Sequence, residues 1–289
     1  MKRIPFALIL ALFPCLGLLV LQAAFEKGPK ATMQNAKPRI ERMVDVGGRK
    51  LHCRVFGQGS PVVVLLSGFR APQEYWDPIV PAISEIATVV TYDRPGYGKS
   101  EIGTKSCDGR QAMRELKTLL EALGISEPSI IVGHSLGGRF AQIFASLFPD
   151  RTAGLVLLDT GFRDPRLPWR ADGGRPAENA AEKNLEAPPG MTAEAECNDL
   201  TWRQTEAIIS LPRVPLTVVS AGRVQTPPWL SPEERQKAVD LRKLDQEALV
   251  KMIPGGRHIV LPDSGHNVIA EATEDVIRAI RDMIQSLRR

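Results

Sequence analysis

The sequence predicts an α/β fold, a mostly parallel central sheet with helices on both faces. Three observations predict it. Short apolar runs such as Pro61 to Leu66, Thr88 to Tyr92 and Ile130 to Val132 alternate with longer helical patterns. Those runs are continuously apolar rather than alternating, as strands buried on both faces require. The chain has 289 residues, 43% hydrophobic and 24% charged, which suffices to bury the core of one α/β domain.

The first 24 residues stand apart from this pattern. Lys2 and Arg3 precede an almost uncharged apolar run from Ile4 to Ala24, which reads as a signal peptide or an N-terminal membrane anchor. Its length favours an anchor, whereas Pro5, Pro14 and Gly17 interrupt it. Either reading exports the protein, to the periplasm or beyond the cell, or tethers it to a membrane through residues 4–24. Residues 25–40, with Pro29, Pro38 and several lysines, read as a linker, and 41–289 as the folded α/β domain. Cys15 is read as incidental and Cys53 as a buried small hydrophobe in an early strand, which leaves Cys107 and Cys197 as the pair an oxidising compartment could join.

From Met43 the elements follow in order. Met43 to Val46 and Leu51 to Phe56 form a hairpin across Gly47-Gly48, followed by the strand Pro61 to Leu66. Trp76 to Ile86 reads as a helix, Thr88 to Tyr92 as a strand, Gly109 to Leu123 as a helix and Ile130 to Val132 as a strand. A helix follows Ser135, and the strands Gly154 to Leu158, Leu216 to Val219 and His258 to Leu261 complete the sheet. Residues 160–214, after the sixth strand, are rich in proline, glycine and charge. That segment is too long for a plain connection and is read as a lid. Within it Thr192 to Leu211 reads as a helix capped by Thr192, and Trp169 and Trp202 as lid aromatics. Ser231-Pro232-Glu233-Glu234 starts a further helix, with Leu241, Leu244, Ala248, Leu249 and Met252 on one face, which is read as scaffold. The closing helix carries Ile277, Ile280, Ile284 and Leu287 on one stripe.

The net charge of +4 falls to +2 without Lys2 and Arg3, and no basic run is interleaved with aromatics, so nucleic acid is not an expected partner. No metal-ligand spacing and no cofactor fingerprint is present. Asp93 to Ser100 differs from a phosphate-binding loop only at its first position. Asp93 replaces the first glycine there, and no helix opens after Ser100, so the segment is read as a tight turn.

The chemistry centres on Gly133-His134-Ser135-Leu136-Gly137, which runs from an apolar strand into an apolar helix. A serine hydroxyl needs a base, and a strained strand-to-helix turn flanked by glycines exposes its oxygen to one. Ligands of such sheets bind beyond the carboxyl ends of the strands. That rule eliminates three of the four histidines. His52 lies in the hairpin, His258 opens the last strand at its wrong end, and His134 is expected to point away across the turn. His266, in the loop after the last strand, is left as the base.

With these pieces the chain resembles the α/β-hydrolase family from Met43 to its end. The resemblance rests on Leu65-Leu66-Ser67-Gly68-Phe69, Tyr92-Asp93-Arg94-Pro95-Gly96-Tyr97-Gly98-Lys99-Ser100, the Ser135 elbow, Gly154 to Asp159, Pro215 to Gly222 and Gly265-His266. It implies a serine hydrolase with no cofactor and no metal, acting on a small, apolar carboxylic ester, with backbone NH groups of Phe69 and Leu136 holding the oxyanion. The family often has His-Gly where this chain has Ser67-Gly68. It commonly places its acid at the position occupied here by Gln225, and no carboxylate lies between Ser220 and Leu230. The family's other acid position falls on Asp159, which is therefore assigned, with Asp164 behind it. A serine at the elbow argues against epoxide-hydrolase or dehalogenase chemistry, which in this family uses a carboxylate there. Carbon-carbon bond hydrolysis and cofactor-free perhydrolysis use the same triad and stay open, as does a non-catalytic binding protein.

Overall fold

A computed structural model describes residues 36–161, 189–226 and 228–289. The expected leader, with Cys15, most of the linker, and the lid residues Asp164 and Trp169 lie outside them. Among the described residues no helix is long and apolar enough to cross a membrane.

Strand formation follows the apolar runs. The strands are β1 (Ile40–Asp45), β2 (Lys50–Phe56), β3 (Val62–Leu66), β4 (Thr88–Tyr92), β5 (Ser129–His134), β6 (Thr152–Leu158), β7 (Leu216–Ala221) and β8 (Arg257–Leu261). They form one sheet in the order β1-β2-β4-β3-β5-β6-β7-β8. The hairpin β1–β2 and the pair β2–β4 are antiparallel, and all other pairs are parallel. The β-branched runs of β3 and β4 are wholly buried, as a sheet covered on both faces requires.

The helices are α1 (Val80–Ser84), α2 (Gly109–Ala122), α3 (Leu136–Leu147), α4 (Pro189–Glu206), α5 (Pro232–Lys251), α6 (Val268–Glu271) and α7 (Thr273–Ser286). Two apolar cores result. Met113 and Leu116 of α2, Phe140 and Phe144 of α3 and Leu249 of α5 fill one, while Trp76, Ile83 of α1 and Ile277, Ile280 and Ile284 of α7 fill the other.

Several boundaries depart from the sequence reading, for local reasons. The helix expected over Trp76 to Ile86 is split into a 3-10 turn at Gln73–Trp76 and the short α1, and Pro78, which has no NH to donate, lies at the break. Helix α4 runs from Pro189 to Glu206 instead of Thr192 to Leu211. Helix α6 was not expected. The Ser231 capping box forms as expected, but α5 is rotated from its expected face. Ala238, Leu241, Gln246 and Leu249 are buried, whereas Leu244 is 58% exposed. Cys107 and Cys197 are free thiols rather than a disulfide. The turn after β4 carries Asp93 into hydrogen bonds with the Gln73 backbone NH and side chain, consistent with a structural turn.

The topology places the site. From β3 the chain moves outward to β4 and then crosses back over β3 to β5, so the loops after β3 and β5 diverge at the sheet's switch point. Phe69 follows β3 and Ser135 follows β5.

Candidate active site

Ser135 sits between β5 and α3 with φ 55° and ψ −118°, a left-handed conformation that costs a non-glycine residue about 1–3 kcal/mol. The surrounding packing enforces it. A Cβ on Gly133 would overlap the Gly137 carbonyl, and one on Gly137 would overlap the Leu66 carbonyl. Gly68 is similarly confined, since a Cβ there would lie 3.1 Å from His134 Nδ1 and 3.2 Å from the Ser135 Cβ.

The three side chains expected to cooperate are brought into one hydrogen-bonded chain. His266 Nε2 lies 3.0 Å from Ser135 Oγ, and His266 Nδ1 lies 2.6 Å from Asp159 Oδ2. Because a carboxylate only accepts, Nδ1 carries the proton and Nε2 is free to accept from the serine hydroxyl. Asp159 extends from the end of β6, itself at φ 40°. Its other oxygen accepts from the Ala221 backbone NH at 3.0 Å and from the Arg242 guanidinium at 2.8 Å. Burial raises the carboxyl's pKa, but the His266 hydrogen bond and the Arg242 charge outweigh it and hold Asp159 well below the ordinary carboxylate range. Gln225 is exposed. The end of β7, where the family more often places its acid, instead donates the Ala221 NH to Asp159.

His134 corrects the sequence reading. It does not point away: the left-handed turn at Ser135 breaks the strand alternation on which that expectation rests. Its ring stacks between Tyr75 and His266, with centroids 5.1 and 4.8 Å away. Burial, and then the neighbouring His266, push its pKa down to about 3. His52 and His258 are engaged elsewhere, His52 with Asp93 and Glu41 and His258 with Ser220.

Gly68, Phe69, Ala71, Tyr75, His134, Ser135, His266 and Asn267 line a cavity of about 190 Å³. Neither the Phe69 NH nor the Leu136 NH meets an acceptor among the described residues, so both are available to a ligand oxygen. Ser67 is structural, accepting from Trp76 Nε1 at 2.9 Å. Among the described residues no group of His, Cys, Asp and Glu is arranged to hold a metal ion.

Sequence reasoning missed Arg94 and Glu194. Arg94 donates to the Ser67 and Gly68 carbonyls at 2.6 and 2.8 Å and forms a buried 2.5 Å pair with Glu194 of α4. The loop after β3 and helix α4 thus share one guanidinium. Arg242 and Gln246 were missed because α5 was read as scaffold. Their i, i+4 spacing on the Ala238 to Leu249 stripe is the signal that could have found them.

Sheet order, elbow and the Ser135–His266–Asp159 chain define an α/β-hydrolase fold, and comparison with known proteins agrees. Residues 61–196, just under half of the chain, match the family described as alpha/beta hydrolase fold. It is 27% identical over 249 residues to the dihydrolipoyllysine-residue acetyltransferase component of an acetoin cleaving system from Pseudomonas putida, covering 80% of this chain and 66% of that protein. It is 34% identical over 123 residues to a fluoroacetate dehalogenase from Burkholderia sp, covering 41% of this chain and 40% of the relative. The matches thus span from about two fifths to just under two thirds of the relatives' own length. A thermophilic esterase from Thermogutta terrifontis superimposes with a TM-score of 0.62 at 22% identity, covering 86% of this chain and all of that one, a likeness of fold.

Proposed function

We propose that the protein is a serine hydrolase that cleaves a carboxylic ester of a small, apolar substrate through an acyl-enzyme. The observation that carries this reading is the chain from Ser135 Oγ through His266, at 3.0 and 2.6 Å, to a buried carboxylate. His266 Nε2 takes the hydroxyl proton as Oγ attacks the ester carbonyl, and the Asp159 charge stabilises the imidazolium. The Phe69 and Leu136 NH groups receive the oxyanion, a contribution worth about a hundredfold to a thousandfold per donor in comparable sites. His266 returns the proton to the leaving alkoxide. Water then repeats the sequence on the acyl-enzyme and releases the acid.

The small volume and the Phe69, Ala71 and Tyr75 wall favour a short apolar acyl group. The elbow residue is a serine, which supports acyl transfer over the carboxylate-nucleophile chemistry that the family resemblance links to dehalogenases and epoxide hydrolases. The test is a series of p-nitrophenyl esters of increasing acyl length. Hydrolysis that is strongest for short chains and abolished in Ser135→Ala is expected. No turnover of any ester, or turnover that survives Ser135→Ala, would contradict the reading.

A further inference from the structure

Arg242 is not needed to complete a serine, histidine and carboxylate chain, yet it is built into the site. Its Nη2 lies 2.8 Å from Asp159 Oδ1 and donates to the Asp159 carbonyl at 2.9 Å, while Nη1 donates to the Thr160 carbonyl at 2.9 Å. Gln246, one turn further along α5, donates to the same Thr160 carbonyl at 2.8 Å and is held by Ser220 Oγ at 3.0 Å. The guanidinium is only 14% exposed. It therefore clamps the left-handed Asp159 by side chain and backbone, and it puts a permanent positive charge on the carboxylate that faces His266.

We propose that Arg242 is a positioning residue that commits Asp159 Oδ1 away from His266, leaves Oδ2 as the sole partner of Nδ1, and sets the pH at which protonation switches the base off. This rests on the serine-hydrolase reading. A bare buried carboxylate would strongly favour the imidazolium, and a guanidinium on its other oxygen offsets part of that preference. Removing the guanidinium charge therefore makes His266 easier to protonate.

The other charged and titratable groups around the pair leave that effect readable. His134, at the end of β5, is held neutral by burial until the pH nears 3, and Tyr75, from the 3-10 turn, is half-buried and pushed well above its ordinary range by loss of solvent. Glu271 of α6 is engaged by the Gly265 NH at 2.8 Å and by Arg223 at 2.6 Å. Arg139 of α3 donates to the Gly161 carbonyl; burial, and then the Arg242 charge, push its pKa down while Glu206 of α4 and Asp245 of α5 oppose this, and a guanidinium stays protonated near neutral pH. Asp159 stays ionised throughout neutral pH.

The experiment measures the second-order rate of Ser135 modification by a fluorophosphonate from pH 5 to 9. This reaction needs the nucleophile and its base but no particular substrate. The proteins compared are the parent, Arg242→Gln and Arg242→Lys, each checked for folding by circular dichroism, with Arg242→Met in reserve for a poorly folded Gln variant. Arg242→Gln is expected to move the midpoint of the acid limb up by about one pH unit, while Arg242→Lys, which keeps the charge, moves it by less than about 0.3. A lower rate at every pH with an unmoved midpoint would mean that Arg242 is only structural, and would overturn the proposal. A parent protein that is not labelled at all would overturn the serine-hydrolase reading instead, so the two failures are distinguishable.

Discussion

His134 Nε2 donates to the backbone carbonyl of His266 at 2.8 Å, so the residue before Ser135 holds the loop that carries His266. A carbonyl only accepts, which places the proton on Nε2 and leaves Nδ1 bare, buried and without a partner among the described residues.

That neutral, buried ring predicts a pH dependence of stability. The folded state pushes the His134 pKa down from 6.5 to about 3, so the unfolded chain takes up a proton first as the pH falls. Stability is thus expected to be undiminished above pH 6.5 and to decline between pH 6.5 and about 3. His134→Gln, which keeps an NH in reach of the His266 carbonyl but does not titrate, is expected to flatten that decline in urea unfolding measured at pH 7 and pH 4.5. It is also expected to keep activity within about tenfold, whereas His134→Phe, which leaves the carbonyl unpaired, loses about tenfold to a hundredfold in kcat.

Asp159 and Asp164 can be separated by single substitutions. Asp159→Asn is expected to lower kcat by about a thousandfold to ten-thousandfold with KM little changed, because the amide no longer stabilises the imidazolium. Asp164→Asn is expected to stay within about threefold, by the same reasoning. The reverse pattern in steady-state kinetics would move the acid to Asp164.

The Arg94–Glu194 pair predicts that the lid helix and the oxyanion loop fail together. Both side chains are buried, at 3% and 5% exposure, so Glu194→Ala strands the Arg94 charge. A loss of about 3–5 kcal/mol is expected, seen as a Tm lowered by about 10 °C. Ester turnover is expected to fall with it, since Arg94 holds the carbonyls of Ser67 and Gly68. Glu194→Gln, which keeps one acceptor oxygen for the guanidinium and for Tyr97, is expected to lose less of both.

How much of this was legible in the sequence depends on whether a feature is local. The strands were legible because continuous β-branched runs such as Val62–Leu66 have few other destinations. Ser135 announced itself through its flanking glycines, and His266 through elimination. Asp159 was reached through what was missing near Gln225. Arg242 and Gln246 offered only their i, i+4 spacing on α5, and Glu194 offered no local signal, because each meets the site across 80 or more residues of chain. The rotation of α5 was misread because its apolar stripe is thin, and hydrogen bonds to the Asp159–Thr160 backbone orient it as much as burial does. His134 was misread because strand alternation stops at a left-handed residue.

The most direct test of the central claim is the mass of the intact protein after treatment with a fluorophosphonate. The account predicts one adduct, mapped by peptide fragmentation to Ser135, absent in Ser135→Ala and strongly slowed in His266→Ala. A protein that remains unmodified, or an adduct that persists in Ser135→Ala, would contradict it.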